Sequence, residues 1–439
     1  MSPFSPRYSR IALLEHAGYG NLGDDATVSS VLQHLQRRWP HACISAITLN
    51  PLDTSERHGI PAWPIHRDCK HPPSGAAPVS RIKSSWRRHR FWGPFLRLCW
   101  RSLVRYPRNL VRESLFLARS FRALQSLDML VICGGGQLRD NAAGPYAFPL
   151  TILKWVLLAR SRGAECCFLN VGAGPLRTRS SRLFVRTALQ LSSYTSFRDE
   201  SSRRLIQQIG YRKDSTVHAD CVYALPFRVP ARPSATHAIP GTVGISPMRV
   251  YWDRDPRVYA RLIQELGKFG ARVGKQDHPL CLFSSEVPSD YEPIDDLHAA
   301  ILSGGTPSSI RCPRIAGVDG LLQQMSGMEY VVTCRFHGVV FAHLLQIPVL
   351  AVSHHPKVST LMNDLGLSDY CLDVHTVTAK DLMQSFTRLQ ENQAAVRQQM
   401  RELALSYRAD LMHQFDTLFP PVIGSHASEP RMHSVPVSF

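Results

Sequence analysis

Three short apolar runs stop abruptly on glycine, and this punctuation constrains the fold more than any other feature of the 439-residue chain. Arg10 to Ala17 (RIALLEHA) runs into Gly18, Asp128 to Cys133 (DMLVIC) into Gly134-Gly135-Gly136, and Ala164 to Val171 (AECCFLNV) into Gly172-Ala173-Gly174-Pro175. Runs of this length bounded by turn residues suit strands buried on both faces. Ala42 to Leu49 and Ser193 to Phe197 are further strands. Between them, Asp24 to Arg38 predicts a helix with Ala26, Val28, Val31, Leu32 and Leu35 on one face, and Ser201 to Gly210 predicts another that closes on its glycine. Strands alternating with helices predict an α/β fold with a parallel sheet and helices on both faces.

Four prolines (Pro226, Pro230, Pro233 and Pro240) interrupt all periodicity between Leu225 and Gly241, which predicts an interdomain linker over 226–241. The alternation then restarts. Thr242 to Ser246, His278 to Ser284, Tyr330 to Cys334 and Pro348 to Val352 are strands; Pro256 to Gly267, Val318 to Ser326 and Gly338 to Leu345 are helices; Ala379 to Leu418 is one or two long helices. The division is therefore an N-terminal domain over 1–225, a C-terminal domain over 242–422 and a tail over 423–439. Ligands are expected at strand C-terminal ends facing the cleft between the two domains. A mass of 49.3 kDa agrees with two cores rather than one.

With 44% hydrophobic residues, the chain has too much core material for a disordered protein. Its eleven cysteines contain no CxxC, so the pattern predicts reduced thiols in a cytoplasmic protein rather than a zinc site or a disulfide framework. The first residues lack the apolar stretch of a secretory signal, and no apolar run is long enough to span a membrane. The net charge of +17 points to anionic partners. Most of it comes from residues 70–122, where 13 Lys and Arg face the single acid Glu113. That segment also carries Trp86, Phe91, Trp92, Phe95, Trp100, Phe116 and Phe121. A basic, aromatic amphipathic helix there fits a peripheral contact with an anionic membrane; a helix packed on the sheet with solvated arginines fits equally well.

Three segments could carry chemistry. Gly18-Tyr19-Gly20-Asn21-Leu22-Gly23-Asp24-Asp25 joins a strand to a helix and matches GxGxxG, a loop whose N–H groups can approach an anion. No acid follows the second strand to hold a ribose, and Asp24 and Asp25 would repel a pyrophosphate. Asp24 taken alone is expected to cap the helix. Gly134, Gly135 and Gly136 let backbone come close to a ligand. In Thr333-Cys334-Arg335-Phe336-His337-Gly338, Arg335 and His337 would share one side of an extended segment, beside a helix beginning at Gly338. Arg offers a planar fork for a carboxylate or phosphate, and His a proton near neutrality. Arg198, Arg249 and Lys357 are supporting cations after other strands. His354 and His355 have no further ligand at metal spacing, so no metal is assigned.

In this order, GYGNLGDDA, VICGGG, SFRDESS, HADCVYAL, VGISPMR and CRFHGVVFAHLLQIPVLAVSHHPKV resemble the polysaccharide pyruvyltransferase family over roughly residues 10–370. The last segment is the most specific. Asp25, where the family often has Glu, and the long basic insert depart from the pattern.

The resemblance implies two Rossmann-like domains of the GT-B type and transfer of pyruvyl from phosphoenolpyruvate to a sugar of a cell-surface polysaccharide or its lipid-linked precursor, as a ketal. No cofactor is then expected. A donor with a carboxylate and a phosphate requires several cations, so Arg335, with Arg198, Arg249 or Lys357, is expected to bind it, alongside Asn21, Gly23 and the three glycines. His337 is expected to be the general acid, protonated near pH 7, and Asp24, or else Asp25, the base. The alternatives are a GT-B glycosyltransferase using a nucleotide sugar and a non-catalytic binder of an anionic polymer. The basic segment holds no nucleic-acid motif.

Overall fold

In a computed structural model the chain builds two sheets of parallel strands with flanking helices. The structure describes residues 8–15, 18, 20–69, 106–140, 144–226, 240–249, 255–305, 309–315 and 317–421. In the first half the strands are β1 (Arg10–Leu14), β2 (Cys43–Thr48), β3 (Ala62–Pro64), β4 (Met129–Cys133), β5 (Glu165–Val171), β6 (Tyr194–Phe197) and β7 (Thr216–Val217). The helices there are α1 (Leu22–Arg38), α2 (Pro51–His58), α3 (Tyr106–Ala123), α4 (Phe148–Ser161), α5 (Arg179–Gln190) and α6 (Glu200–Gln208). The second half has β8 (Val243–Ser246), β9 (Leu280–Leu282), β10 (Ile310–Arg311), β11 (Tyr330–Thr333), β12 (Val349–Ser353) and β13 (Cys371–Asp373). Its helices are α7 (Pro256–Lys275), α8 (Tyr291–Ser303), α9 (Gly317–Ser326), α10 (Phe336–Leu344), α11 (Pro356–Asp364), α12 (Ala379–Glu391) and α13 (Gln393–Leu418).

Strand order is β3-β2-β1-β4-β5-β6-β7 in the first sheet and β10-β9-β8-β11-β12-β13 in the second. Each order reverses direction once, between β1 and β4 and between β8 and β11, and α/β sheets open their ligand crevices at such points. The GxGxxG loop leaves β1, the triple glycine leaves β4 and Arg335 follows β11, so all three segments emerge at switch points. Both faces of the first sheet are covered. Ile11 and Leu13 of β1 join one buried cluster, Ala12 and Leu14 the other.

Helix α7 runs past Gly267, where the sequence predicted its end. A Cβ at Gly267 would stand 2.6 Å from Ala300 Cβ, and one at Gly270 2.9 Å from Ile301, so these glycines let α8 lie close rather than stopping α7. The end of α13 returns to the first half, where Gln414 donates to Asn170 Oδ1 at 2.8 Å and accepts from Asn170 Nδ2 at 3.0 Å. Arg38 pairs there with Asp416, and Phe415 lies 4.9 Å from the His34 ring. A buried amide pair satisfied on both sides fixes that crossing, since an unpaired one would be costly.

Within the basic insert, residues 70–105 lie outside the described residues, as do 227–239 of the linker and the tail from 422. Among the described residues no helix is long and apolar enough to cross a membrane. The described cysteines are all unpaired, and burial pushes the Cys133, Cys167 and Cys221 thiols up.

Phe415→Ala removes a fully buried ring from the crossing of α13. It is expected to cost about 3–5 kcal/mol in urea denaturation, and a loss under about 1 kcal/mol would mean that the crossing packs little.

Candidate active site

The two halves meet backbone to backbone at the start of α1. Val287 N donates to Gly20 O at 2.7 Å and Leu22 N donates to Ser285 O at 2.9 Å. Side chains are excluded from this seam. A Cβ on Gly20, whose φ is +78°, would stand 1.4 Å from Val287 O, and one on Gly23 1.9 Å from His337 Cγ. Asn21, rather than Asp24, caps α1, accepting from Gly23 N at 3.1 Å and Asp24 N at 3.4 Å. The helix begins at Leu22, two residues before the predicted start, so Asp24 falls within its first turn and its carboxyl is released from capping.

Arg335 holds the opposite side of the seam. Its Nε donates to Asp290 Oδ2 at 3.1 Å, and its terminal nitrogens pair with Asp290 and Glu286. Ser284 Oγ lies 2.9 Å from Asp290 Oδ2 and accepts from Glu286 N at 2.8 Å. The fork expected to bind substrate is therefore filled by two carboxylates, and Arg335 positions the loop that bonds to Gly20 and Leu22. Nor do Arg335 and His337 alternate along an extended strand. Helix α10 starts at Phe336 instead of Gly338, which leaves Arg335 as its cap and places His337 in its first turn.

The cations facing the cleft are Arg198, Lys357 and Arg139. Arg198 Cζ stands 4.4 Å from the centre of the Phe336 ring and Lys357 Nζ 5.7 Å from it. Gly172 makes room for the guanidinium, since a Cβ there would lie 2.6 Å from Arg198 Nε. Arg198 has Asp199 at 3.5 Å and Asp220 at 3.8 Å. Lys357 makes no ion pair among the described residues, and burial with Arg198 and Arg139 nearby brings its pKa down to about 7. His337 is buried against Gly23, and its Nε2 has no hydrogen-bond partner among the described residues. Burial, then the positive charges of Arg198, Lys357 and Arg335, hold it well below its usual range. The expectation of an imidazolium near pH 7 is corrected: with only protein around it, His337 is neutral.

Asp24 faces these cations. Burial and the Asp220 charge raise it to about 6, against the pull of Arg198, Lys357 and Arg139. It lines a cavity of about 170 Å³ together with Asn21, Gly135, Gly136, Arg139 and Glu286. Gly134 and Gly135 have φ of +35° and +63°. A Cβ on Gly134 would meet Thr27 Cγ2 at 2.6 Å, so the triple glycine lets β4 press against α1. Asp25 turns away to Arg57, 3.8 Å distant.

Thus Asp24, Asn21, Gly23, the three glycines, His337, Arg198 and Lys357 come together, whereas Arg249 is spent on Glu292 and the Tyr259 ring, 5.0 Å away. Of the two histidines after β12, His355 Nδ1 accepts from Lys357 N at 3.2 Å and caps α11. The sequence did not single out Arg139, Phe336, Asp220, Glu286, Asp290 or Glu15. Arg139 and Asp220 lie within or just beyond quoted motifs, VICGGG and HADCVYAL, and were findable as charges beside strand ends. Glu286 and Asp290 carry no comparable signal.

A family model described as polysaccharide pyruvyl transferase matches residues 21–356, most of the chain. No curated protein matches the sequence. Among solved structures, Anabaena HepE in complex with UDP and glucose is 12% identical, with a TM-score of 0.54 over 94% of this chain and 100% of that one. A putative UDP-N-acetylglucosamine 2-epimerase from Listeria monocytogenes is 10% identical, with a TM-score of 0.55 over 93% and 96% of the two chains. UDP-GlcNAc 2-epimerase from Neisseria meningitidis bound to UDP-GlcNAc is 10% identical, with a TM-score of 0.51 over 89% and 94%. Similarity at these identities is one of fold, the two-domain α/β architecture of GT-B glycosyltransferases and epimerases.

Gly20→Ala forces a methyl group into the seam at a backbone angle that disfavours it. The amides of Leu22 and Val287 are expected to exchange with deuterium at least ~10-fold faster, with the centres of β4 and β11 unaffected. Unchanged protection of both amides would show that the bridge tolerates a side chain.

Proposed function

This chain belongs to the polysaccharide pyruvyl transferase family, and from that premise we propose that it takes pyruvyl from phosphoenolpyruvate and places it as a ketal on a sugar of a cell-surface polysaccharide or its lipid-linked precursor. The observation that supports the donor is the convergence of Arg198, Arg139 and Lys357 beside Asp24 at the edge of the cleft. A compact ligand with two anionic groups matches such a cluster, and the rim of Phe336 keeps water from screening it.

In this mechanism the cations hold the phosphate and the carboxylate. The incoming negative charge offsets the cations around His337, so its imidazole gains a proton only with donor in place. Nε2, free of protein partners, passes that proton to the methylene carbon and makes C2 electrophilic. A sugar hydroxyl adds to C2 while Asp24 accepts its proton. Phosphate leaves with the C2–O electron pair, and a second hydroxyl closes the ketal. Of the two hydroxyl protons, one balances the new methyl group and the other the phosphate. Asp24, with a pKa of about 6, is ionised at pH 7 yet basic enough to serve.

Binding and protonation are then linked with a definite sign. Lys357 is mostly neutral at pH 8, and a bound dianion restores its charge, so calorimetry in buffers of different ionisation enthalpy should record uptake of about one proton or more. Uptake should shrink at pH 6, where Lys357 already carries its proton, and at pH 8 it should fall by at least about half in Lys357→Met. Proton release on binding would refute the scheme. In thermal-shift measurements phosphoenolpyruvate, and not UDP, should stabilise the protein; the reverse favours a nucleotide-sugar transferase. For His337→Gln, phosphate release within about threefold of wild type would remove the acid.

The membrane contact is part of the same proposal. Helix α3 exposes Leu110 (69%), Val111 (57%) and Leu115 (53%), and helical spacing puts Val111 and Leu115 on one face with the exposed Arg108, Arg112, Arg119 and Arg122. Its other face is anchored by Phe116 on Trp155 and by Glu113, 2.6 Å from Lys154. Apolar side chains with flanking arginines suit the surface of an anionic bilayer. The triple change Leu110→Ser, Val111→Ser, Leu115→Ser is expected to abolish sedimentation with phosphatidylglycerol vesicles. Equal sedimentation of this variant and the wild type would rule α3 out as the contact.

A further inference from the structure

The cavity beside Asp24 contains a carboxyl that the mechanism above does not use. Glu15 follows β1 and is held by its N–H to Ile47 O at 3.0 Å. It is only 1% exposed, lines the cavity, and neither of its side-chain oxygens has a hydrogen-bond partner among the described residues. Gln137 lines the same cavity. Its Nε2 donates to Cys133 O at 2.6 Å, while its buried Oε1 also has no partner among the described residues. Three buried polar atoms facing one cavity without partners leave hydrogen-bonding capacity that a ligand would satisfy.

The surroundings specify which ligand. Glu15 makes no ion pair among the described residues; burial, then Asp25, Asp24 and Asp53, push its carboxyl well up, so that it keeps its proton. A neutral carboxyl can both donate to and accept from a hydroxyl, as an amide can, whereas the nearby carboxylates oppose an anion. Leu49 and Phe148 supply apolar wall for a ring. Of the three cations Arg139 lines the cavity while Arg198 and Lys357 do not, and three carboxyls in its wall, Glu15, Asp24 and Glu286, face that one guanidinium, which suits a hydroxylated ligand better than a second anion.

We propose that Glu15 and Gln137 form the acceptor subsite and select a neutral sugar presenting two hydroxyls over an acidic one. This rests on the transfer of pyruvyl proposed above, with Asp24 standing between donor and acceptor.

The test uses saturation-transfer NMR on the full-length protein with methyl β-galactopyranoside, methyl β-glucopyranoside, methyl α-mannopyranoside and methyl β-glucuronide as probes. At least one neutral glycoside is expected to bind wild type and Glu15→Gln alike, and at least ~10-fold more weakly to Glu15→Leu and Gln137→Leu. The glucuronide should bind none of them. Three results overturn the proposal: no neutral glycoside binds wild type, both leucine variants bind like wild type, or the glucuronide binds as well as the neutral sugars. Should Glu15→Leu fail to fold, Gln137→Leu and the isosteric Glu15→Gln carry the comparison. Stabilisation by phosphoenolpyruvate is measured on the same samples and should persist in Glu15→Leu. Its absence in wild type, with sugar binding intact, would overturn the donor and leave the sugar pocket standing.

Discussion

Arg335, closed between Asp290 and Glu286, is the interaction on which the site depends. It organises the 284–290 loop, and that loop supplies the two backbone groups that bond to Gly20 and Leu22. Removing one member would leave a buried charge uncompensated, which is why such a triad fixes geometry more firmly than its net energy suggests. Because glycine stands at 20 and 23, the halves approach until His337 lies against α1. The seam thus brings the imidazole of one half against the first turn of α1 in the other, the turn that carries Asp24.

That closeness sets the charges. Burial pushes Lys357 and His337 down and Asp24 up, so these three groups move toward their neutral forms. Such a site stores its electrostatic capacity until an anion arrives. A dianion reverses the repulsion among Arg139, Arg198 and Lys357 and favours the protonated imidazole. Under the proposed mechanism acid catalysis is therefore conditional on donor binding, which keeps a charged histidine out of a low-dielectric cleft otherwise.

The sheets were legible because their central strands are short apolar runs, three of them ending on glycine; β1, β4, β5, β8 and β11 lie where those runs lie. Edge strands such as β7 and β10 have two residues each and lack any periodic signal. Among site residues, Asp24, His337, Arg198 and Lys357 were found because charge beside a strand end is a local feature. The role of Arg335 was not, since its partners lie 45 and 49 positions away in an unremarkable loop. The start of α10 was misplaced for a related reason: Phe336 and His337 have no helical preference of their own, and their burial in the second half decides the matter. Gly267 misled in the opposite direction, because close packing and helix termination both call for glycine.

The return of α13 bears on how substrates from two chemical classes meet. Gln414, Asp416 and Phe415 tie the end of the second half to the first half, so the two domains share a core on that side and meet again at the glycine seam and at the stacking of Arg198 on Phe336. At the seam itself two backbone hydrogen bonds join the halves, held in register by the Arg335 triad. Asp24 lies in the turn just behind it. Asp24, which lines the cavity and feels the pull of Arg198, Lys357 and Arg139, is thereby carried on the turn beside that contact, where the proposed donor and acceptor would both reach it.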